Sequence, residues 1–547
     1  MPERLNTPIN NPEDKNELDN VIAEEEAIGE SVDNILRKIG ACGPSNILIL
    51  IGCMILNFGI SPQTLLMYFA ANDPPWKCVN SSRNVFCEHS RGKIFDSTDD
   101  NFQKRCSFNR SDWEYTTNSR YSIVTEFDLV CGKDSFAALA NSALFIGWGI
   151  GGVFTGLICD MVGRKLTLTA SFLITTLLSL ACCFITAIWQ LVLLRTFLGI
   201  STGTVMAVQY ILLSELTAPE NRSLQINTLG LAFTLSLSAL TGIAYYIREW
   251  RHLVMFVTIP VLVGLIMTIV LPESPRWLYT KGKLVKSERI LKKMGSLNNR
   301  DSTGYKLKPT IESNVKEKTY SYLDMFRTWS ITMFVLAQAV GWFTNGLVYY
   351  ALSLEAADLG GDIYTNFVMV AFADVPGNIL AIYICNRFGR KKSTLLSFLI
   401  GGLLLGCIAP IPKSYSHGHI IRIVLALIGK CCIDISFSGF YIWTLELYPT
   451  VVRTQGMTIC QISCRVGSAS APFIVNVLRN VWPPLPFIIM CGASILAALM
   501  GLILPETSGK ATREKYEDIY TKPSNISLLK DESRPLMSDT DELPVVA

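Results

Sequence analysis

The sequence predicts an all-α membrane protein with twelve transmembrane helices in two six-helix halves and a large first outer loop. Three observations predict it. Of 547 residues, 50% are hydrophobic and only 17% are charged, whereas a soluble chain of this length carries about a quarter charged. Mean hydropathy is +0.34. The charge concentrates in residues 1–44, 77–134, 276–327 and 509–547, which separates apolar runs of roughly 20 residues, each long enough to cross a bilayer. Finally, three motifs occur twice, at offsets of about 226 to 233 residues, as expected of two repeated halves.

In chain order, residues 1–45 form an N-terminal tail. Its stretch EDKNELDNVIAEEEAIGE is acidic and lacks the early apolar core of a signal peptide, so it is expected to be a loosely helical or unstructured cytoplasmic segment. Residues 46–272 hold six spans, at about 46–70, 136–158, 166–187, 189–213, 226–247 and 253–271. Residues 273–328 form a basic loop. Residues 329–505 hold the other six, at about 329–352, 364–385, 394–411, 420–444, 455–477 and 485–504. Residues 506–547 form a second tail.

Arg164 and Lys165, the Lys-rich stretch from Lys281 to Lys318, and Arg390 to Lys392 fall on one side. The positive-inside rule makes that side the cytoplasm, with both termini. The loop 71–135 then lies outside. Asn80 and Asn109 are glycosylation acceptors there. Cys78, Cys87, Cys106 and Cys131 make an even set in an oxidising compartment, which predicts two disulfides. All three connectivities remain open.

GLICDMVGRK (156–165) and YICNRFGRKK (383–392) follow the second and eighth spans. YILLSELTAPENR (210–222) and YIWTLELYPTVVR (441–453) close the fourth and tenth. PESPRW (272–277) and PETSGK (505–510) end the sixth and twelfth. The GxxxDxxGRK pattern resembles the signature loop of the major facilitator superfamily. With RYSIVTEFDLVCGKD (120–134), PESPRWL and ELYPTVVRTQG (446–456), the chain from about Val32 to Thr507 resembles the solute-carrier family of organic cation, organic anion and carnitine transporters. PESPRWL alone is shared with sugar porters. The resemblance implies an alternating-access carrier with a central site between the halves.

Asp160, Gly163 and Arg164, with Gly389 and Arg390 in the second half, sit at span ends, where carboxylates and guanidinium groups reach neighbouring helix termini. Glu215 with Arg222, Glu446 with Arg453, and Glu273 with Arg276 are expected to complete a cytoplasmic latch that stabilises the outward-open state. Asn386 stands where the first half has Asp160, which should weaken that half of the latch.

QISCRVGSASAP (461–472) places Arg465 inside an apolar run, 12 residues from Arg453 and 14 from Arg479, or roughly 18–21 Å from each at ~1.5 Å per residue. A cation at mid-depth faces a cavity or a partner. It is expected either to attract a substrate carboxylate or sulfate, or to neutralise Asp374 and hold the halves together. Pro376 is expected to break the helix near Asp374. Lys430 and Asp434, one turn apart, are expected to pair. Trp342, Phe343, Tyr349, Tyr350 and Trp443 are candidate cavity aromatics for ammonium groups or flat ligands.

In the resemblance, organic-cation members carry Asp at the position of Arg465, and anion and carnitine members carry Arg. Lys430 also matches anion and carnitine members, and YYALSLEAADLGGDIYTN (349–366) is similar to the carnitine branch. Thr202 replaces a Lys expected of cation carriers, and Asn378 replaces one frequent in anion carriers. The expectation is a carrier of organic anions or zwitterions such as carnitine, with an organic cation carrier, a sugar porter or a non-transporting receptor as alternatives.

No Walker motif, HExxH, or His or Cys set with metal spacing occurs. The chain is therefore expected to be no enzyme and to need no cofactor, metal or nucleic acid. Its expected partners are the small organic ion, the bilayer and a co-transported or exchanged ion. It should reside in the plasma membrane. DESRPLM (531–537) resembles an acidic dileucine signal, which would recruit a trafficking adaptor and cycle some protein through endosomes or lysosomes.

Overall fold

The computed structural model describes residues 30–508, apart from 41–42, 80–85, 88–89, 91, 97–98, 100, 303, 309–324, 328, 357–358, 360–361, 412–416 and 450–451. Asn80 and the segment 531–537 lie outside the described residues.

Helix α1 (Val32–Ile39) begins at Ser31, whose hydroxyl accepts from the Asn34 N–H at 3.3 Å. The acidic composition predicted little order here. The helix forms because Val32, Ile35, Leu36 and Ile39 share one face, and all four are buried.

The first half contains α2 (Pro44–Ala70), α3 (Asp134–Val162), α4 (Arg164–Cys182), α5 (Ile188–Leu216), α6 (Arg222–Tyr246) and α7 (Trp250–Val270). The amphipathic α8 (Leu284–Leu297) follows. The second half opens with α9 (Trp329–Glu355) and the broken span α10 (Ile363–Phe372) and α11 (Asp374–Phe388). Eight of these segments are long and apolar enough to cross a membrane. The twelve are completed by α12 (Arg390–Gly406), α13 (Gly418–Leu447), α14 (Arg453–Phe473) and α15 (Leu485–Gly501). α12 and α15 have 17 residues each, and α13 and α14 carry interior charges. The break falls at Ala373, three residues before Pro376, whose ring cannot donate back to the Phe372 carbonyl.

The repeat visible in the sequence is a repeat of packing. In each half the first span packs on the fifth and sixth, the second on the fourth, and the third on the fourth and sixth. Between α9 and α14 the contact is backbone to backbone. A Cβ at Gly346 would lie 2.2 Å from the Cys464 carbonyl oxygen, and one at Gly467 2.1 Å from that of Phe343. The small residues after Arg465 permit this approach.

The loop between α2 and α3 is a small folded unit. Strands β1 (Trp76–Cys78), β2 (Ile94–Phe95) and β3 (Trp113–Tyr115) pair antiparallel in the order β2-β1-β3. Trp76 stacks on Phe95 at 4.5 Å. Buried Arg105 pairs with Asp73 and lies over the Phe102 ring. The disulfides are Cys78–Cys87 and Cys106–Cys131, a connectivity that spacing left open. Asn109 is exposed. The SIVTEF segment anchors the unit to the bundle, since Glu126 accepts from Trp250 Nε1 at 2.7 Å and from Arg251 at 2.6 Å. Burial opposes the charged form of Glu126, but these hydrogen bonds outweigh it and hold the pKa below the ordinary glutamate value.

Call the end carrying this unit the loop face and the opposite end the motif face. At the loop face the halves touch. Phe69 stacks on Tyr364 at 5.6 Å, Tyr68 meets Phe367 at 4.5 Å, and Asn480 donates to Asp134 at 2.6 Å. The conformation is closed at this face.

Candidate substrate cavity and charged latches

The second half assembles a buried polar cluster just below the loop-face contacts. The Lys430 ammonium lies 3.7 Å from Asp374 Oδ1, donates to Ser353 Oγ at 2.9 Å and to the Tyr349 carbonyl at 3.1 Å, and sits 3.0 Å from the Tyr349 ring centroid. The Tyr349 hydroxyl donates to Asp374 Oδ2 at 2.6 Å. Lys430 and Asp374 are 1% and 3% exposed, so neither charge survives alone and each depends on the other. A cavity next to them is lined by Tyr349, Ser353, Asp374 and Lys430 and, from the first half, by Leu65 and Leu237.

Two expected pairings are corrected. Asp434 pairs with Lys430 in no ion contact among the described residues; it accepts from Asn378 Nδ2 at 2.8 Å, while Lys430 turns to Asp374 on the neighbouring helix. Arg465 does not neutralise Asp374. Its guanidinium stacks 3.8 Å from the Trp148 ring, across the seam between α14 and α3, and it also reaches the Tyr350 side chain. No carboxylate pairs with it among the described residues. Tyr350 in turn packs on Phe145 of α3 at 4.5 Å. Trp148, in GWGIGGVF, was not singled out from sequence. An aromatic among glycines at mid-span was the available signal.

Of the candidate aromatics, Tyr349 lines the cavity, Tyr350 sits beside it with ring centroids 5.2 Å apart and turns to the seam, and Phe343 is half-buried one turn or more away on the same helix. Trp342 and Trp443 belong to the packing of the second half. Trp342 is buried and donates to Thr444 Oγ1 at 3.0 Å, and Trp443 is buried and donates to the Pro505 carbonyl at 2.9 Å. Indole N–H groups satisfied inside the core are not free to meet a ligand.

At the motif face the charged residues form two matching latches. Arg164 binds Glu215 through Nε at 2.9 Å and Nη2 at 3.0 Å; Arg390 binds Glu446 through Nε at 3.2 Å and Nη2 at 2.9 Å. Asp160 adds a contact to Arg164 at 3.0 Å, and Asn386 has no equivalent charge. Gly163 and Gly389 turn the chain at φ +105° and +89°, where a side chain would be strained. The expected pairs Glu215–Arg222, Glu446–Arg453 and Glu273–Arg276 do not form. Arg222 and Arg276 pair instead with Asp33 of α1, Arg453 donates to the Tyr448 carbonyl at 3.3 Å, and Glu273 accepts the Arg164 and Lys165 N–H groups. The orphan N–H groups and the dipole at the start of α4 favour a carboxylate there. Every one of these latch contacts stays inside one half and is formed with the loop face closed, so the contacts do not tie the halves into an outward-open state as expected.

The family model described as "Sugar (and other) transporter" matches residues 97–520. Human solute carrier family 22 member 13 is 32% identical over 415 residues, covering 75% of this chain and 74% of that protein. The chain belongs to solute carrier family 22. Rat solute carrier family 22 member 2 is 31% identical over 410 residues, covering 74% of this chain and 73% of that protein. Rabbit organic anion transporter 3 is 28% identical over 512 residues, covering 89% and 93%. Among solved structures, a D-xylose–proton symporter superposes with a TM-score of 0.59 at 16% identity, covering 85% of this chain and 99% of that one. The E. coli xylose transporter XylE in a partially occluded inward-open conformation gives 0.58 at 16% identity, covering 85% and 99%. These two show the fold. As a solute carrier family 22 protein, the chain is a multi-pass carrier of small organic ions in the membrane, not an enzyme.

Proposed function

We propose that this carrier moves small organic anions or zwitterions, and that Arg465 receives the substrate carboxylate. One observation carries the reading: Arg465 is a cation at the seam of the two halves, held by an aromatic face and, among the described residues, by no carboxylate. A guanidinium stacked on a ring keeps its donors available for bidentate binding. The adjacent cavity supplies Tyr349 and the Lys430–Asp374 pair, which suit the polar or ammonium end of a zwitterion. With the loop face outside and the motif face in the cytoplasm, the closed loop-face contacts correspond to a carrier facing inward. Rocking the halves about the α3–α14 and α6–α10 seams exchanges access, and the two motif-face latches keep each half rigid while it moves.

The test is uptake by cells expressing the chain, wild type beside Arg465→Asp, with carnitine, an aromatic monocarboxylate and a quaternary cation, each with and without sodium. Loss of carboxylate or carnitine uptake in the variant supports the reading. Transport of only the quaternary cation, equally by both proteins, overturns it.

A further inference from the structure

We propose that Asp434 carries a proton that crosses the membrane together with the substrate carboxylate. The proposal rests on the reading of Arg465 as the carboxylate receptor and adds the coupling ion.

The cluster beside the cavity is unbalanced. Two carboxylates, Asp374 and Asp434, face one ammonium, Lys430. Lys430 is committed to Asp374 at 3.7 Å, and Asp374 also accepts the Tyr349 hydroxyl at 2.6 Å. Asp434 is 7% exposed, and the donor it receives is a neutral amide, Asn378 Nδ2 at 2.8 Å. The titratable or charged groups facing it are Lys430 and Cys431 on its own helix, Asp374 on α11 and Tyr349 on α9. None is an uncommitted cation. A buried carboxylate without a charge partner costs more than a buried carboxylic acid, so it takes up a proton. Space for the group is built in, because a Cβ at Gly377 would lie 2.6 Å from Asp434 Oδ2. Asp374 Oδ1, itself buried, makes no hydrogen bond and lines the cavity.

Charge counting gives the direction of coupling. When a carboxylate sits on Arg465, that pair is neutral, and so is Lys430 with Asp374. With a monocarboxylate bound, the cavity is neutral only if Asp434 is protonated; otherwise the halves must close over a net negative charge in a low-dielectric centre. The proton therefore enters with the substrate. Water at the loop face gives H⁺ to an Asp434 oxygen, and the same O–H breaks toward water at the motif face.

The experiment uses the full-length protein in proteoliposomes, with labelled benzoate and an imposed pH gradient, acid outside, each rate corrected for entry into protein-free vesicles. Wild-type uptake is expected to accelerate under the gradient and to lose that acceleration when a protonophore is added. Asp434→Asn is expected to transport at a rate indifferent to the gradient. A wild type that ignores the gradient while moving the substrate, or an Asp434→Asn protein as responsive as wild type, overturns the proposal. A second readout needs no substrate. Infrared spectroscopy of the purified protein, titrated from neutral to acid pH, should show the carbonyl stretch of an un-ionised carboxyl group growing in as the proton loads. That band should vanish in Asp434→Asn, and also in Asp374→Asn, where Lys430 is released to Asp434. Absence of any Asp434-dependent band overturns the proposal. If benzoate does not move, the anion reading fails and the band alone decides the proton site.

Discussion

Glu273 and Glu506 do the same work in the two halves. Glu273 accepts the N–H groups of Arg164 at 3.0 Å and Lys165 at 3.1 Å; Glu506 accepts those of Arg390 and Lys391, each at 3.0 Å. The equivalence extends to Lys165 and Lys391, which donate to the Ile269 and Leu502 carbonyls at 2.7 Å. Each carboxylate fills the orphan donors of a helix that starts directly after a glycine turn.

Glu506 is therefore expected to contribute about 1 kcal/mol as a cap. Partial burial raises its pKa, but the N–H groups of Ser508, Thr507, Arg390 and Lys391 outweigh burial and hold it below the ordinary glutamate value. A depressed folded pKa means the stabilisation is complete above the unfolded value of about 4.3 and is lost as pH falls through the lower folded one. Thermal denaturation of the purified protein should show this loss below about pH 4.3 in wild type. Glu506→Gln should start lower at neutral pH and lack that part of the acid dependence.

The Arg164–Glu215 contact is bidentate and mostly shielded, with side chains 11% and 17% exposed. Arg164→Lys keeps the charge and loses the fork. Turnover should fall about tenfold, a barrier increase of ~1.4 kcal/mol, with a smaller change in the concentration for half-maximal uptake. Initial-rate transport across a substrate series measures both. Normal turnover in Arg164→Ala would rule out a latch.

Much of this architecture was legible before the structure. The twelve spans followed from charge spacing, and the six-span repeat followed from paired motifs. Glu506 was legible too, because PETSGK matches PESPRW, yet only Glu273 was picked out. The pairings were not legible. Arg164 has Glu215 and Asp160 near it, Arg276 has Glu273 three residues away, and only the fold shows that Asp33, far away in sequence, reaches Arg276. Trp148 and Arg465 meet across the seam with no shared motif. Trp342 and Trp443 read as cavity aromatics because composition does not reveal which helix face is turned to the core.

The N-terminal helix tests whether charge or apolar burial holds it. Asp33 pairs with Arg222 and Arg276, and Arg37 with Glu220 at 2.6 Å. The Asp33 pairs are a quarter to two-fifths exposed, so each contributes about 1 kcal/mol or less, and the Arg37–Glu220 pair lies in solvent and adds little. Ile35 and Leu36 are 0% and 2% exposed, and truncating either to Ala should cost about 2–5 kcal/mol. Asp33→Asn should leave α1 docked, and Leu36→Ala should release it. Limited proteolysis near residue 31, with a label on the N-terminus, distinguishes them. Equal release by both variants would mean the ion pairs dominate.

Lys430 is the most exposed to failure by single substitution. Lys430→Met leaves Asp374 buried with the Tyr349 hydroxyl alone, and removing one partner of a buried pair costs about 3–5 kcal/mol. The variant should express poorly and melt early. Lys430→Met combined with Asp374→Asn removes both charges, and most of the lost stability should return. The double variant should still lack transport if the pair contacts the substrate, and it should transport normally if the pair only holds α9, α11 and α13 together. Melting temperature and uptake measured on the same preparations separate the two roles.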